Sequence, residues 1–330
     1  MKKTIVASQT KSADQWHTEG ITLHNNGNYA EAIRCYDHAL AIDPKDADVW
    51  ANKGASLGAQ GNYSLAMQCY DRALAIDSKH ANAWANKGCV MQRQSKPAEA
   101  LRCFNQVLAI DSKHVNTWYN KGILLNSQGN HEEAIRCFDE ALGVDSKHIH
   151  AWTSKGDTKY QQGNDAEAIR CYDQALEINP KHAAVWYSKG HALQAQGNYE
   201  EAIRCYEQTF TIDPKYGSLD VWVTKGLALF CQNPNADALS CFEKVLAVNS
   251  QNMKALQAKA VIYVYQGKFT QANLLFEQVA QHIKNMSDMT EAARLWCGRG
   301  DMFLAIKKFK EAREEIKYQT RETYCWWSSY

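Results

Sequence analysis

The sequence predicts an all-α chain, a solenoid of about nine helix-turn-helix repeats. The first observation behind this expectation is a period. Tryptophan recurs at Trp16, Trp50, Trp84, Trp118, Trp152 and Trp186, each step being 34 residues. Trp222 follows after 36, Leu256 takes the next place and Trp296 closes the series. The second observation is that other columns run in phase. A glycine stands four residues after each tryptophan from Gly20 to Gly226, with Ala260 as the exception and Gly300 restoring it. An alanine stands sixteen after (Ala32, Ala66, Ala100, Ala134, Ala168, Ala202, Ala238, Ala272, Ala312) and an aromatic twenty after, from Tyr36 to Phe276, with Ile316 last. A fixed period of this length marks stacked supersecondary units, each too small to bury its own apolar face.

Taken in order, residues 1–12 are expected to be a disordered leader: "MKKTIVASQTKSAD" has only three consecutive apolar residues, Ile5 to Ala7. A signal peptide needs about 7–15. Eight units follow at 13–46, 47–80, 81–114, 115–148, 149–182, 183–218, 219–252 and 253–292, and a degenerate ninth with an aromatic tail at 293–330. In each, Trp50, Gly54 and Leu57 and their equivalents form one stripe of a first helix at i, i+4 and i+7. "GN", as in Gly61-Asn62, ends it, because glycine accepts the left-handed cap conformation. A second helix carries Ile33, Tyr36 and Leu40, and "DPK" or "DSK" breaks it before the next unit. Glu–Arg pairs at i,i+3, such as Glu167–Arg170 and Glu201–Arg204, are expected on a solvated outer face.

These columns resemble the tetratricopeptide repeat (TPR) family, whose 34-residue signature runs through Trp, Leu-Gly, Tyr, Ala, Phe and Pro. The resemblance covers about residues 13 to 322. It departs in one column: the place before the glycine, usually Leu, holds Lys53, Lys87, Lys121, Lys155, Lys189, Lys225 and Lys259. A lysine bordering the core packs its stem and reaches out with its amine, and Asp71, Asp139 and Asp173 stand in acidic columns that could receive it. The resemblance implies a TPR solenoid, a right-handed superhelix whose concave groove is lined by first helices and binds peptide segments. A chaperone-tail adaptor is argued against, since Ala, Tyr, Thr or Val stands where its clamp needs a first lysine.

Composition narrows the function classes. Lys and Arg number 37 against 36 Asp and Glu, so the chain has no electrostatic footprint for nucleic acid or an anionic membrane. No segment approaches the roughly 20 apolar residues of a membrane span. Eleven cysteines, an odd number, favour a reducing compartment, the cytoplasm. Cys35, Cys69, Cys103, Cys137, Cys171, Cys205 and Cys241 lie nineteen residues after their tryptophans, beside Ala32 and Ala39 on an apolar stripe. Packed helices stand about 8–10 Å apart, too far for a disulfide or a shared metal ion between copies. The column is expected to be packing. Cys231, Cys297 and Cys325 fall outside it and are the better candidates for a reactive thiol. His80, His114, His148 and His182 recur one repeat apart in "KH" turns, and the same geometry denies them a shared metal. No phosphate loop, nucleophile motif or metal set appears, so neither catalysis nor a cofactor is expected.

The expected function is a non-catalytic scaffold binding an extended peptide or partner protein; the alternative is a self-assembly module. Groove candidates follow from the places the resemblance turns inward: Tyr119, Asp157, Tyr160, Tyr187, His191, Leu227 and Phe230. Beside them, two after each tryptophan, runs a ladder of short polar residues: Asn52, Asn86, Asn120, Ser154, Ser188 and Thr224. Asparagine offers a donor and an acceptor, the complement of a backbone amide. The tail "TYCWWSSY" is aromatic enough to cover the last repeat, enter a groove or join a second chain. A homo-oligomer through that tail is the partner expected besides a protein or peptide.

Overall fold

The computed structural model describes residues 11–216, 218–232 and 236–284. These residues form sixteen helices, and no strand occurs among them. Eight hairpins follow in order: α1 (Ala13–Asn25) with α2 (Tyr29–Ile42), α3 (Ala47–Ala59) with α4 (Tyr63–Ile76), α5 (Ala81–Arg93) with α6 (Pro97–Ile110), and α7 (Val115–Ser127) with α8 (His131–Val144). The second four are α9 (Ile149–Gln161) with α10 (Asp165–Ile178), α11 (Ala183–Ala195) with α12 (Tyr199–Ile212), α13 (Ser218–Gln232) with α14 (Ala236–Val248), and α15 (Met253–Tyr265) with α16 (Phe269–Lys284). The leader (but for its last two residues), the ninth unit, Cys297, Cys325 and the aromatic tail lie outside the described residues.

The chain divides into two compact units between Ser154 and Lys155, within α9. In the first unit α2, α4 and α6, and in the second α12 and α14, each pack on the first helix of their own repeat and on that of the next; α8 and α16 pack on their own first helices, and α10 packs on α11. First helices of successive repeats also touch, α1 to α3 to α5 to α7 in the first unit and α13 to α15 in the second.

The sequence columns explain how two helices close on each other. The aromatic of each second helix is fully buried, as at Tyr36, Phe104, Phe138, Tyr172 and Tyr206. Its ring lies flat against the glycine of the first helix: a Cβ at Gly122 would stand 2.6 Å from Phe138 Cε1. Glycine is therefore favoured there by contact and not by conformation; the eighth repeat places Ala260 against Phe276. In the turn conformation is the reason: Gly61, Gly129 and Gly197 have φ of 84°, 79° and 81°. The third repeat holds Ser95 in that column at φ 58°. Its turn keeps the pattern, with Lys96 N–H donating to Met91 O at 2.9 Å as Asn62 N–H does to Leu57 O.

The tryptophans tie one repeat to the next. Trp50, Trp84, Trp118, Trp152 and Trp186 each donate Nε1–H to the carbonyl six residues earlier, at 2.8 to 3.0 Å. The indole thus satisfies the turn that leads into its own helix.

Candidate functional site

Six lysines of the column, from Lys53 to Lys259, each meet an acceptor on the repeat before. Lys53 pairs with Asp37 at 2.5 Å, Lys87 with Asp71 at 2.7 Å, and Lys121 donates to Asn105 at 2.8 Å. In the second unit Lys189 pairs with Asp173, Lys225 with Glu207 and Lys259 with Glu243, at 2.5 to 3.1 Å. Each partner stands on the second helix of the preceding repeat. The amines also lie over the tryptophan one turn back, at 5.3 Å for Lys53, Lys87 and Lys121. So the column braces the stack. The outer Glu–Arg expectation needs correcting: Arg204 reaches Glu200 at i,i+4 and 2.6 Å, and Glu167 is taken by Lys159. Long side chains on a solvated face settle for whichever acid costs them least rotamer freedom.

The cysteines of the column are 4–5% exposed free thiols. Burial raises every one whose shift is resolved, Cys137 and Cys205 to about 11. They remain thiols at neutral pH and serve as small apolar residues. Cys231 is half-buried. The histidines of the turns turn out to be helix caps, a role the sequence reading missed. The Nδ1 atoms of His80, His114 and His148 accept from the backbone N–H of Ala83, Thr117 and Ala151, where Ser12, Asp46 and Asn252 do so in other repeats. A ring nitrogen can stand in for the usual oxygen. No group of three or more metal-ligating residues occurs among the described residues.

On the first unit's first-helix face, the ladder residues meet the repeat before them. Asn52 Nδ2 lies 2.8 Å from His17 Nε2, and Asn120 Nδ2 lies 3.5 Å from Cys89 Sγ. Asn86 is half-buried and its amide has no partner within the described residues. Ser154 is half-buried on α9. Tyr119 packs between Phe138 of its own repeat and His148 of the next, at 6.2 and 5.2 Å between centroids. Two or more rungs therefore bridge repeats, with one side of each amide still open.

The second unit brings its candidates together more tightly. Asp157 accepts from the phenol of Tyr172 at 2.8 Å and from the Ser188 hydroxyl. Burial raises its carboxyl pKa against the lowering effect of those two bonds. Tyr187 stands edge-on to His191 at 4.5 Å, 6.0 Å from Tyr206 and 6.1 Å from Tyr216, and its hydroxyl is bonded to that of Thr224. Burial, helped by Lys254, pushes His191 down to about 4, so the ring is neutral at pH 7. Tyr160 is half-buried, and burial raises its phenol. Phe230 is buried in the packed interior of α13 to α15, 6% exposed and against Tyr265, and Leu227 is half-buried beside it. Tyr172, Tyr206 and Tyr216 were not among the expected groove residues. The first two stand in the core column, fully buried, and their hydroxyls reach Asp157 and Gln194 of the first helices; Tyr216 sits in the extra residues before Trp222.

Among the described residues no helix is long and apolar enough to cross a membrane. The family model described as Tetratricopeptide repeat matches residues 47–80, 115–148 and 183–216, and that described as TPR repeat matches 20–61 and 156–197. No curated protein sequence matches the chain. Among solved structures, the chain is similar to PilF of Pseudomonas aeruginosa, with 20% identity and a TM-score of 0.58 over 66% of this chain and 99% of that one. It is similar to the C-terminal part of a TPR repeat-containing protein from Cytophaga hutchinsonii, at 15% identity and TM-score 0.60 over 73% and 98%. The type IV pilus biogenesis factor PilW gives 21%, TM-score 0.57, 62% and 94%. At these identities the likeness is one of fold. With its 34-residue columns, its paired helices and these matches, the chain belongs to the tetratricopeptide repeat family.

Proposed function

We propose that the chain is a non-catalytic interaction scaffold that binds an extended peptide of a partner protein along the face of its first helices. The observation that carries this reading is the ladder of Asn52, Asn86 and Asn120. Its groups recur once per repeat, half-buried, with Asn86 uncommitted and the other two engaged through Nδ2 alone. Packed helices stand about 8–10 Å apart, and an extended chain advances about 3.3 Å per residue. One rung thus meets roughly every third peptide residue. The balanced charge supports a protein partner over nucleic acid or a membrane surface. That the described cysteines are free thiols supports a cytoplasmic setting.

The test pans a displayed library of random dodecapeptides against the full chain and measures the recovered peptides by fluorescence polarisation. Changing Asn52, Asn86 and Asn120 together to Ala should weaken binding roughly tenfold to a few hundredfold, with helical content retained. Asn86→Ala alone should weaken binding without lowering stability. Recovered peptides that bind the triple variant as well as the parent would overturn this reading.

A further inference from the structure

The second unit holds a half-buried carboxylate that no cation of its own chain answers. Asp157 is held by two hydroxyls, those of Tyr172 and Ser188, and no Lys or Arg forms an ion pair with it among the described residues. The lysine column shows the opposite habit, pairing Lys189 with Asp173 and Lys225 with Glu207 in the same unit. A desolvated carboxylate is costly unless a positive charge compensates it.

The surroundings are aromatic. Tyr187 and Tyr216 stand 6.1 Å apart with their rings inclined at 70°, two walls at an angle. Tyr216 lies close enough to Asp157 that, after burial, this carboxylate helps to raise its phenol. Tyr160 completes the set from the same helix as Asp157, one turn on. Ring faces carry negative potential and attract ammonium and guanidinium groups. The charges nearby include Asp220 and Asp165, of the same sign, and Lys254; Asp220 and Lys254 act on His191 in opposite senses, and Asp165 acts on Tyr160. His191 itself is neutral at pH 7 and does not fill the place of a cation.

We propose that Asp157, with the rings of Tyr187 and Tyr216, forms a subsite for one basic side chain, Arg or Lys, of the bound peptide. The inference rests on the reading of the first-helix face as a peptide groove and names the partner's chemistry at one point along it. The carboxylate receives the charge, the two rings bracket the cationic head, and the Tyr172 and Ser188 hydroxyls fix the carboxylate plane.

The experiment uses the full chain and the same random dodecapeptide library, panned in parallel on the parent, Asp157→Asn and Tyr216→Leu. Asparagine keeps an acceptor for Tyr172, and the Leu variant keeps apolar packing, so one of the two should retain the parent's circular dichroism. Peptides recovered by the parent should be enriched in Arg or Lys at a fixed place. They should bind each folded variant roughly three- to thirtyfold more weakly, and the enrichment should vanish when the variants are panned. Peptides without a basic preference, or basic peptides indifferent to both variants, would overturn the subsite while the groove reading stands. Recovery of no binding peptide would overturn both.

Discussion

Lys87 and Asp71 are sixteen residues apart in sequence and 2.7 Å apart in space, joining the first helix of one repeat to the second helix of the repeat before. The amine also stands over Trp84, so one side chain ties three places. Lys87→Met should keep the packed stem and lose the charge. With Asp71 well exposed, the ion pair contributes about 0.2–1 kcal/mol and the ring contact a similar amount. The expected loss is therefore about 0.5–1.5 kcal/mol in urea denaturation, shrinking in 1 M salt. A larger loss that salt does not touch would show that packing, and not charge, is the lysine's contribution.

Two glycines on the helices of one hairpin, Gly122 in α7 and Gly143 in α8, should respond oppositely to the same change. Gly122→Ala drives a methyl against the fully buried Phe138 ring, at 2.6 Å from Cε1. Overpacking of this kind costs about 1–3 kcal/mol. Gly143 lies in α8 with nothing within 4 Å of an added Cβ, so Gly143→Ala should stabilise by up to about 1 kcal/mol through helix propensity. Thermal melts of the two variants decide it; shifts of equal sign would refute the packing account.

His191 makes the second unit sensitive to acid. Its pKa falls to about 4 on folding, below the ordinary 6.5, through burial and then Lys254. A base whose pKa is lowered in the folded state adds stability above about pH 6.5, and that stability is lost as pH falls through about 4. The ring is only half-buried, so the contribution is about 1–3 kcal/mol. Asp157, raised by burial, works the other way: the cost of its ionised form is relieved as pH falls. Replacing His191 by Phe should therefore flatten the fall in the urea midpoint between pH 7 and 4.5. An equal fall in parent and variant would remove His191 from the account.

The fold was legible because each repeat states its helices several times over. Trp, Gly, Ala and the aromatic sit at helical spacing, and thirty-four-residue recurrence turns a weak local signal into a strong one. What the sequence could not show was which polar groups meet across repeats. The ladder at Asn52 and Asn120 turns partly toward His17 and Cys89, a matter of how one first helix faces the next, which no single repeat encodes. Phe230 shares the register of Tyr160, eight after its tryptophan, yet it packs into the interior of α13 to α15, with Leu227 half-buried against it. A sequence clue to the second unit did exist. The core column reads Phe104 and Phe138 in repeats three and four, where Cys89 and Ile123 face it, but Tyr172 and Tyr206 in repeats five and six, where Asp157 and His191 do. Their hydroxyls find Asp157 Oδ1 and Gln194 Oε1 at 2.8 and 2.9 Å. In these two repeats the tyrosine hydroxyl meets a polar side chain of the first helix.

The indole bonds give the chain an optical consequence. Each tryptophan from Trp50 to Trp186 has its Nε1–H fixed on a carbonyl of the turn that joins its repeat to the one before. Its emission colour therefore depends on whether that one turn is intact, and the fluorophores are placed at regular intervals along the chain. The intrinsic spectrum is a sum of local reports. If terminal repeats fray before central ones, the red shift with denaturant will be drawn out over a broad range; if the stack opens as a whole, all the indoles will move in one step.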